Sequence, residues 1–222
     1  LYKDDPRVIF EELAPVAGLA AGATRDILPA QLLQRALTDD ETLDAADRRR
    51  AGLALVTGDG APRNVTAGLA ILEDLATADG GAEAALALSD ALAPRDPEAA
   101  YMWALRAGEG FAEGAASRLD RLEATLPFAR VLALQDQALG QPTHPLAALE
   151  RVTLIRTEAA LRLSGIGRLR SYRTAAMWAM LAAAAGDAEA QQILADLDER
   201  VRLSGGAARA AWTDVETAAG AL

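Results

Sequence analysis

Ala159-Ala160-Leu161-Arg162-Leu163-Ser164-Gly165-Ile166-Gly167-Arg168-Leu169-Arg170-Ser171 leads into an apolar-periodic run from Tyr172 to Ala185 and then Gly186-Asp187-Ala188-Glu189-Ala190-Gln191. This stretch reads as a helix, a Gly-x-Gly loop with an arginine three residues on, a helix, a tight turn and a helix. The same plan is written earlier. Ala51 to Asn64 carries Gly58-Asp59-Gly60 and Arg63, a periodic run follows from Val65 to Ala78, and Asp79-Gly80-Gly81-Ala82-Glu83-Ala84 closes it. Self-similarity at a fixed spacing marks a repeat array, in which each unit buries its apolar face only against its neighbours. Gly58 and Gly165 lie 107 residues apart, close to three units of ~36 residues, the size of a helical-hairpin repeat.

Working outward, Tyr101-Met102-Trp103-Ala104 and Ala176-Met177-Trp178-Ala179 are matching strings 75 residues apart, about two units. An Ala-Glu pair recurs at Ala82, Ala112 and Ala188. Helix starts are marked by an aspartate cap with proline in the first turn at Asp4-Asp5-Pro6 and Asp96-Pro97, and by caps at Ser171 and Asp187. The expected helices include Asp26–Leu37 (with Leu28, Leu32, Leu33 and Leu37 on one face), one from Asp39 or Asp40 through Val56, and Ala82–Leu92. Further along come Ala99–Ala107, Phe111–Leu122, Phe128–Leu139, a longest helix from Leu146 to Leu163, and a last one around Trp212. β-Branched and aromatic residues never gather into alternating runs, so no strand is expected. The fold class that follows is all-α: an α-solenoid of antiparallel helix pairs with about 12 helices. Residues 1–40 are read as N-terminal helices forming a degenerate repeat or cap. Residues 41–203 are the array, with its best copies at 51–92 and 159–197 and a degenerate stretch at 96–158, and 204–222 is a capping helix.

The 222 residues are 51% apolar but only 4% aromatic, and alanine carries much of the difference. Small side chains let helices approach closely and spread the core along a stack. A net charge of −10 excludes the basic footprint that nucleic-acid binding needs, and it disfavours adsorption to anionic lipid. With no cysteine there are no disulfides, thiolate metal sites or cysteine nucleophiles. No apolar run reaches the ~18–20 residues of a membrane span. The chain begins at Leu1 rather than Met, which fits a mature form after signal-peptide removal, a fragment downstream of an anchor, or a trimmed chain.

The loop with Gly-x-Gly, the basic-then-polar pair, the helix ending in Ala-Ala and the Gly-Asp-Ala-Glu-Ala-Gln turn together resemble the Sel-1-like repeat, a branch of the tetratricopeptide superfamily. Ala159–Leu197 carries Gly165, Gly167, Trp178, Ala182, Ala185, Gly186, Ala188, Ala190 and Leu194 in that pattern. Ala51–Leu92 keeps Gly58, Gly60, Leu72, Ala76 and Ala84. Asp96–Leu122 keeps Trp103, Ala107 and Ala112 without the Gly-x-Gly loop, so the resemblance covers about half of the chain. It implies a right-handed superhelix whose concave face binds proteins or peptides, without catalytic residues, in a family of largely bacterial and often exported adaptors and assembly factors.

The Gly-x-Gly loops are read as interhelix turns, because a dinucleotide site needs a preceding strand and a third glycine. Trp103 and Trp178 are read as packing residues, as their matched repeat positions suggest. Arg162, Arg168, Arg170 and Arg173 form the densest basic cluster. Their default is a solvated loop, and their functional reading is bidentate docking of a carboxylate- or phosphate-bearing partner. Tyr101 and Tyr172 join them as candidate partner contacts. Arg48-Arg49-Arg50 is expected to pair with Asp44, Asp47 or Glu41. His144 is a loop histidine, unsupported by other metal ligands or a nucleophile elbow. No cofactor, no metal and no catalytic set are expected. The expected role is a protein–protein interaction scaffold or adaptor, extracytoplasmic in a bacterium, with a cytoplasmic location as the alternative. The alternative function is an accessory subunit or assembly factor on the soluble face of a membrane complex.

Overall fold

The computed structural model describes residues 28–38, 42–78, 80–140 and 152–219. The described residues are all-helical, with neighbouring helices packed in pairs and no strand. In order they form α1 (Ala30–Leu37), α2 (Ala45–Thr57), α3 (Val65–Thr77), α4 (Ala82–Leu92), α5 (Pro97–Glu109), α6 (Ala115–Glu123), α7 (Phe128–Leu139), α8 (Val152–Ser164), α9 (Tyr172–Ala184), α10 (Ala188–Leu203) and α11 (Gly206–Ala219). The chain divides into two compact units, Leu1–Ala91 and Leu92–Leu222. The helix start at Asp4-Asp5-Pro6, the pair Asp39-Asp40 and His144 lie outside the described residues.

In the first unit α2 and α3 pack side by side. Asp44 caps α2 by accepting from Asp47 N at 2.7 Å, and Asn64 caps α3 by accepting from Ala67 N at 3.2 Å. A Cβ added at Gly68 would lie 2.6 Å from Gly52 O, so glycine at this crossing lets the two backbones touch. Arg48 pairs with Asp74 of α3 at 2.9 Å and Arg49 with Glu83 of α4 at 3.6 Å. Arg48 and Arg49 thus reach across to neighbouring helices. Leu28 is buried as expected, but Leu37 is 50% exposed, so the Leu stripe of α1 is only partly covered.

The second unit holds a larger core built around Tyr101, Leu105, Leu119, Leu132, Tyr172 and Leu197, all at 1% exposure or less. Each fully buried side chain of this kind contributes roughly 1.5–3 kcal/mol relative to exposure. α5 packs on α6 and α7, and α9 packs on α8, α10 and α11.

The two Gly-x-Gly segments fold alike. Asn64 N donates to Leu55 O at 2.8 Å, and 107 residues later Ser171 N donates to Arg162 O at 2.9 Å. Gly58 and Gly165 have φ of +78° and +73°, a backbone that only glycine adopts cheaply. The following arginines close both loops onto the end of the preceding helix, Arg63 Nε on Val56 O and Arg170 Nε on Ser164 O, each at 3.2 Å.

A second correspondence, at 75 residues, relates α5–α6 to α9–α10. Ala112 N donates to Ala107 O at 2.9 Å, and Asp187 N to Ala182 O at 3.1 Å. Phe111, expected inside a helix, instead occupies the turn with φ +63°, where the later copy has Gly186 at +88°. A bulky residue in this region is an outlier, and its ring is 72% exposed, lying over Gly167.

This asymmetry predicts opposite responses. A Cβ at Gly186 meets nothing within 4 Å, so Gly186→Val acts through backbone strain alone. It should cost about 1–2 kcal/mol and lower the melting temperature by about 3–8 °C. Phe111→Gly should leave stability unchanged or raise it, since strain is relieved and little burial is lost. Thermal unfolding followed by circular dichroism checks both.

Candidate functional site

The arginine loop does not form a solvated patch. Arg170 is 4% exposed and runs inward. Its Nη1 donates to Asp120 Oδ1 at 2.7 Å and to Glu123 Oε1 at 3.1 Å, while Nη2 holds Ser164 O at 2.8 Å. Arg162 and Arg168 flank Glu158, at 3.0 and 3.3 Å. Arg173 donates to Ala211 O of α11 at 2.7 Å and pairs with Asp136 of α7 at 3.1 Å. Burial raises the Asp136 carboxyl above its ordinary range, and Arg173 opposes that shift. Each of the four arginines is thus engaged by its own fold, and only Arg168, 49% exposed, offers much side chain to a partner. Exchanging Arg170 is a structural change before it is a binding change.

Tyr101 and Tyr172 are corrected in the same way, at 0% and 1% exposure. Both belong to a polar cluster around Glu123, whose side chain is 2% exposed. Glu123 Oε1 accepts from Tyr101 Oη at 2.7 Å and from Arg170, and Oε2 accepts from Tyr172 Oη at 2.5 Å and Arg200 Nη2 at 2.8 Å. Gln135 joins the two tyrosines, donating to Tyr101 Oη at 2.8 Å and accepting from Tyr172 N at 2.9 Å. Arg200 also lies over the Tyr172 ring, 4.8 Å from its centroid. A carboxylate offers about four lone-pair positions, and all four are taken by donors of the fold.

Burial first, and the Glu123 charge second, push both phenols well above the ordinary tyrosine range. Burial lowers the Arg170 guanidinium, but Tyr172, Glu123 and Asp120 outweigh it and the group is held more firmly protonated than usual.

The accessible concavity lies elsewhere in this unit. An open groove of about 670 Å³ runs between α5 and α7, its floor made by Met102, Leu134, Ala138 and Leu169. One wall carries Glu98 and Arg130, bonded bidentately at 2.7 Å for each contact. At the other side the Arg106 guanidinium sits over the Trp103 ring, 5.7 Å from its centroid. Trp103 is therefore a groove residue rather than a packing residue. Its counterpart Trp178 packs against the cluster of Ile155, Ala159 and Ala182.

Sequence reasoning missed Glu123, Gln135, Arg200, Arg106 and Arg130. A signal for the first was present: Glu123 falls on the helical stripe of Ala115 and Leu119, an acid on an apolar face. Among the described residues no group of three His, Asp or Glu side chains could hold a metal ion. No helix of the described residues is long and apolar enough to cross a membrane. No family of known proteins matches this chain, and no curated protein matches it.

Two outcomes are expected for the cluster. Glu123→Ala takes the acceptor from the buried Tyr101 and Tyr172 hydroxyls and leaves Arg170 only Asp120 and Ser164 O, and it should cost about 3–5 kcal/mol in urea unfolding. The second outcome concerns pH. Unfolded tyrosine ionises near pH 10 (a reference value), whereas the folded phenols hold their protons longer. Above that pH the unfolded state binds fewer protons, so stability present below pH ~10 falls by about 1.4 kcal/mol per pH unit for each tyrosine. In a Tyr2→Phe variant the phenolate absorbance should rise together with loss of helicity, and Tyr101→Phe should halve the pH slope.

Proposed function

We propose that this chain is a non-catalytic protein–protein interaction scaffold, built of Sel-1-like repeats stacked as a right-handed solenoid and working outside the cytoplasm of a bacterium. The observation that carries the reading is the open groove between α5 and α7, with a large aromatic ring and a guanidinium on its wall instead of in the core. Large rings and arginines at a concave surface are what anchor protein contacts. Two further features support it. The helix–loop–helix hydrogen bonds repeat at 107 residues and the turn bonds at 75, as a repeat array requires. Glu123, the buried acid at the centre of the second unit, is held by four donors of the fold and does not line the groove.

The test is photocross-linking in the native cells. A benzoylphenylalanine placed at Trp103 should give one discrete cross-linked species. The same probe at Asp198, exposed on α10, should give none. No adduct at Trp103, or the same adducts from both positions, would overturn the reading. Recovery of one stoichiometric membrane complex in the adduct would make the protein an accessory subunit of it.

A further inference from the structure

Resting on the scaffold reading, we propose that the groove between α5 and α7 takes an extended peptide segment whose acidic side chain docks on Arg106, with a neighbouring apolar side chain on the floor formed by Met102, Leu134 and Leu169. The two arginines of the groove differ in their pairing. Arg130 is consumed by Glu98 through two 2.7 Å hydrogen bonds, so that pair closes the wall and is neutral. Arg106 is different. It is exposed, and among the described residues its guanidinium makes no ion pair and no hydrogen bond.

Glu109 lies one turn further along α5 and could have taken it. Arg106 instead leans back toward the helix N-terminus, as helical side chains do, and lies over Trp103. Among the described residues its N–H groups there have no acceptor in the fold. A guanidinium fork matches a carboxylate bidentately.

The remaining lining sets the size and charge of the occupant. Asp96 and Glu109 also face this groove, so a dianionic phosphate would meet more repulsion than a single carboxylate. The groove is open along one side, whereas small-molecule sites enclose most of their ligand. An extended chain lying across α5 and α7 suits that shape. Its acid meets Arg106 and its apolar neighbour covers the floor.

The experiment is a selection of random linear peptides on the full-length protein, followed by anisotropy titrations of the enriched peptides. The expected result is enrichment of sequences with Asp or Glu next to Leu, Ile, Met or Phe. Their affinity should fall about tenfold or more in Arg106→Ala, partly return in Arg106→Lys, and weaken with salt. The Arg106 guanidinium makes no hydrogen bond or ion pair among the described residues, so an unchanged circular dichroism melt of Arg106→Ala separates binding from folding. Enriched peptides that need Trp103 but ignore Arg106, or that lack an acid, would overturn the proposal and leave the scaffold reading standing. Enrichment of nothing, or of peptides indifferent to both residues, would overturn both.

Discussion

Placing a carboxylate in a protein interior costs several kcal/mol unless every lone pair finds a donor. Glu123 meets that requirement with four donors from three places in the chain: Tyr101 on α5, Arg170 and Tyr172 at the start of α9, and Arg200 on α10. Gln135 adds α7 through Tyr101 Oη and Tyr172 N. The arrangement of the second unit follows from it, because shifting any of these helices by one residue would leave a buried charge or hydroxyl unpaired. Apolar packing of alanine and leucine tolerates small slips, whereas a saturated polar cluster does not. The alanine-rich faces supply close approach, and the cluster supplies register.

The backbone and the side chains follow different rules along this chain. Hydrogen bonds of the loops and turns recur at fixed offsets, so Asn64 and Ser171 donate to equivalent carbonyls and Ala112 and Asp187 close equivalent turns. Side chains at equivalent positions diverge in use. Phe111 takes up a backbone angle that suits Gly186. Arg63 and Arg170 both close a loop, but only Arg170 continues inward to a buried acid. Trp103 and Trp178 share a repeat position, and one faces a groove while the other packs on α8. Turn geometry is set within a few residues, while the role of a side chain is set by whichever helix lies opposite.

That division explains what could be read from the chain. The loops at Gly58 and Gly165, the caps Asp96, Ser171 and Asp187, and the helices Ala82–Leu92 and Phe128–Leu139 are local features, and the residues that make them are adjacent. Phe111 was misplaced because its helix start carries no cap signal: α6 begins after Gly114. Glu123 stands on the apolar stripe of α6, but its partners are 22, 47, 49 and 77 residues away, so the pairing itself is not written locally. The arginine cluster was legible as a concentration of charge, but its direction was not. Charge runs report composition, and only the approach of Asp120 and Glu123 on α6 to the loop before α9 turns Arg170 inward.

The groove and the cluster are two faces of one arrangement. α5 and α7 are joined on their buried side by the 2.8 Å bond between Gln135 and Tyr101, and on their exposed side by Glu98 and Arg130. These two ties, one turn apart on α5, set the separation of the helices and therefore the width of the groove. Tyr101 and Trp103 are two residues apart and point to opposite sides, so the helix that seats a phenol on Glu123 necessarily presents an indole to the groove. A concave surface made this way is ordered before any partner arrives. The side chains that define it need not be frozen on binding, and that lowers the entropic cost of association.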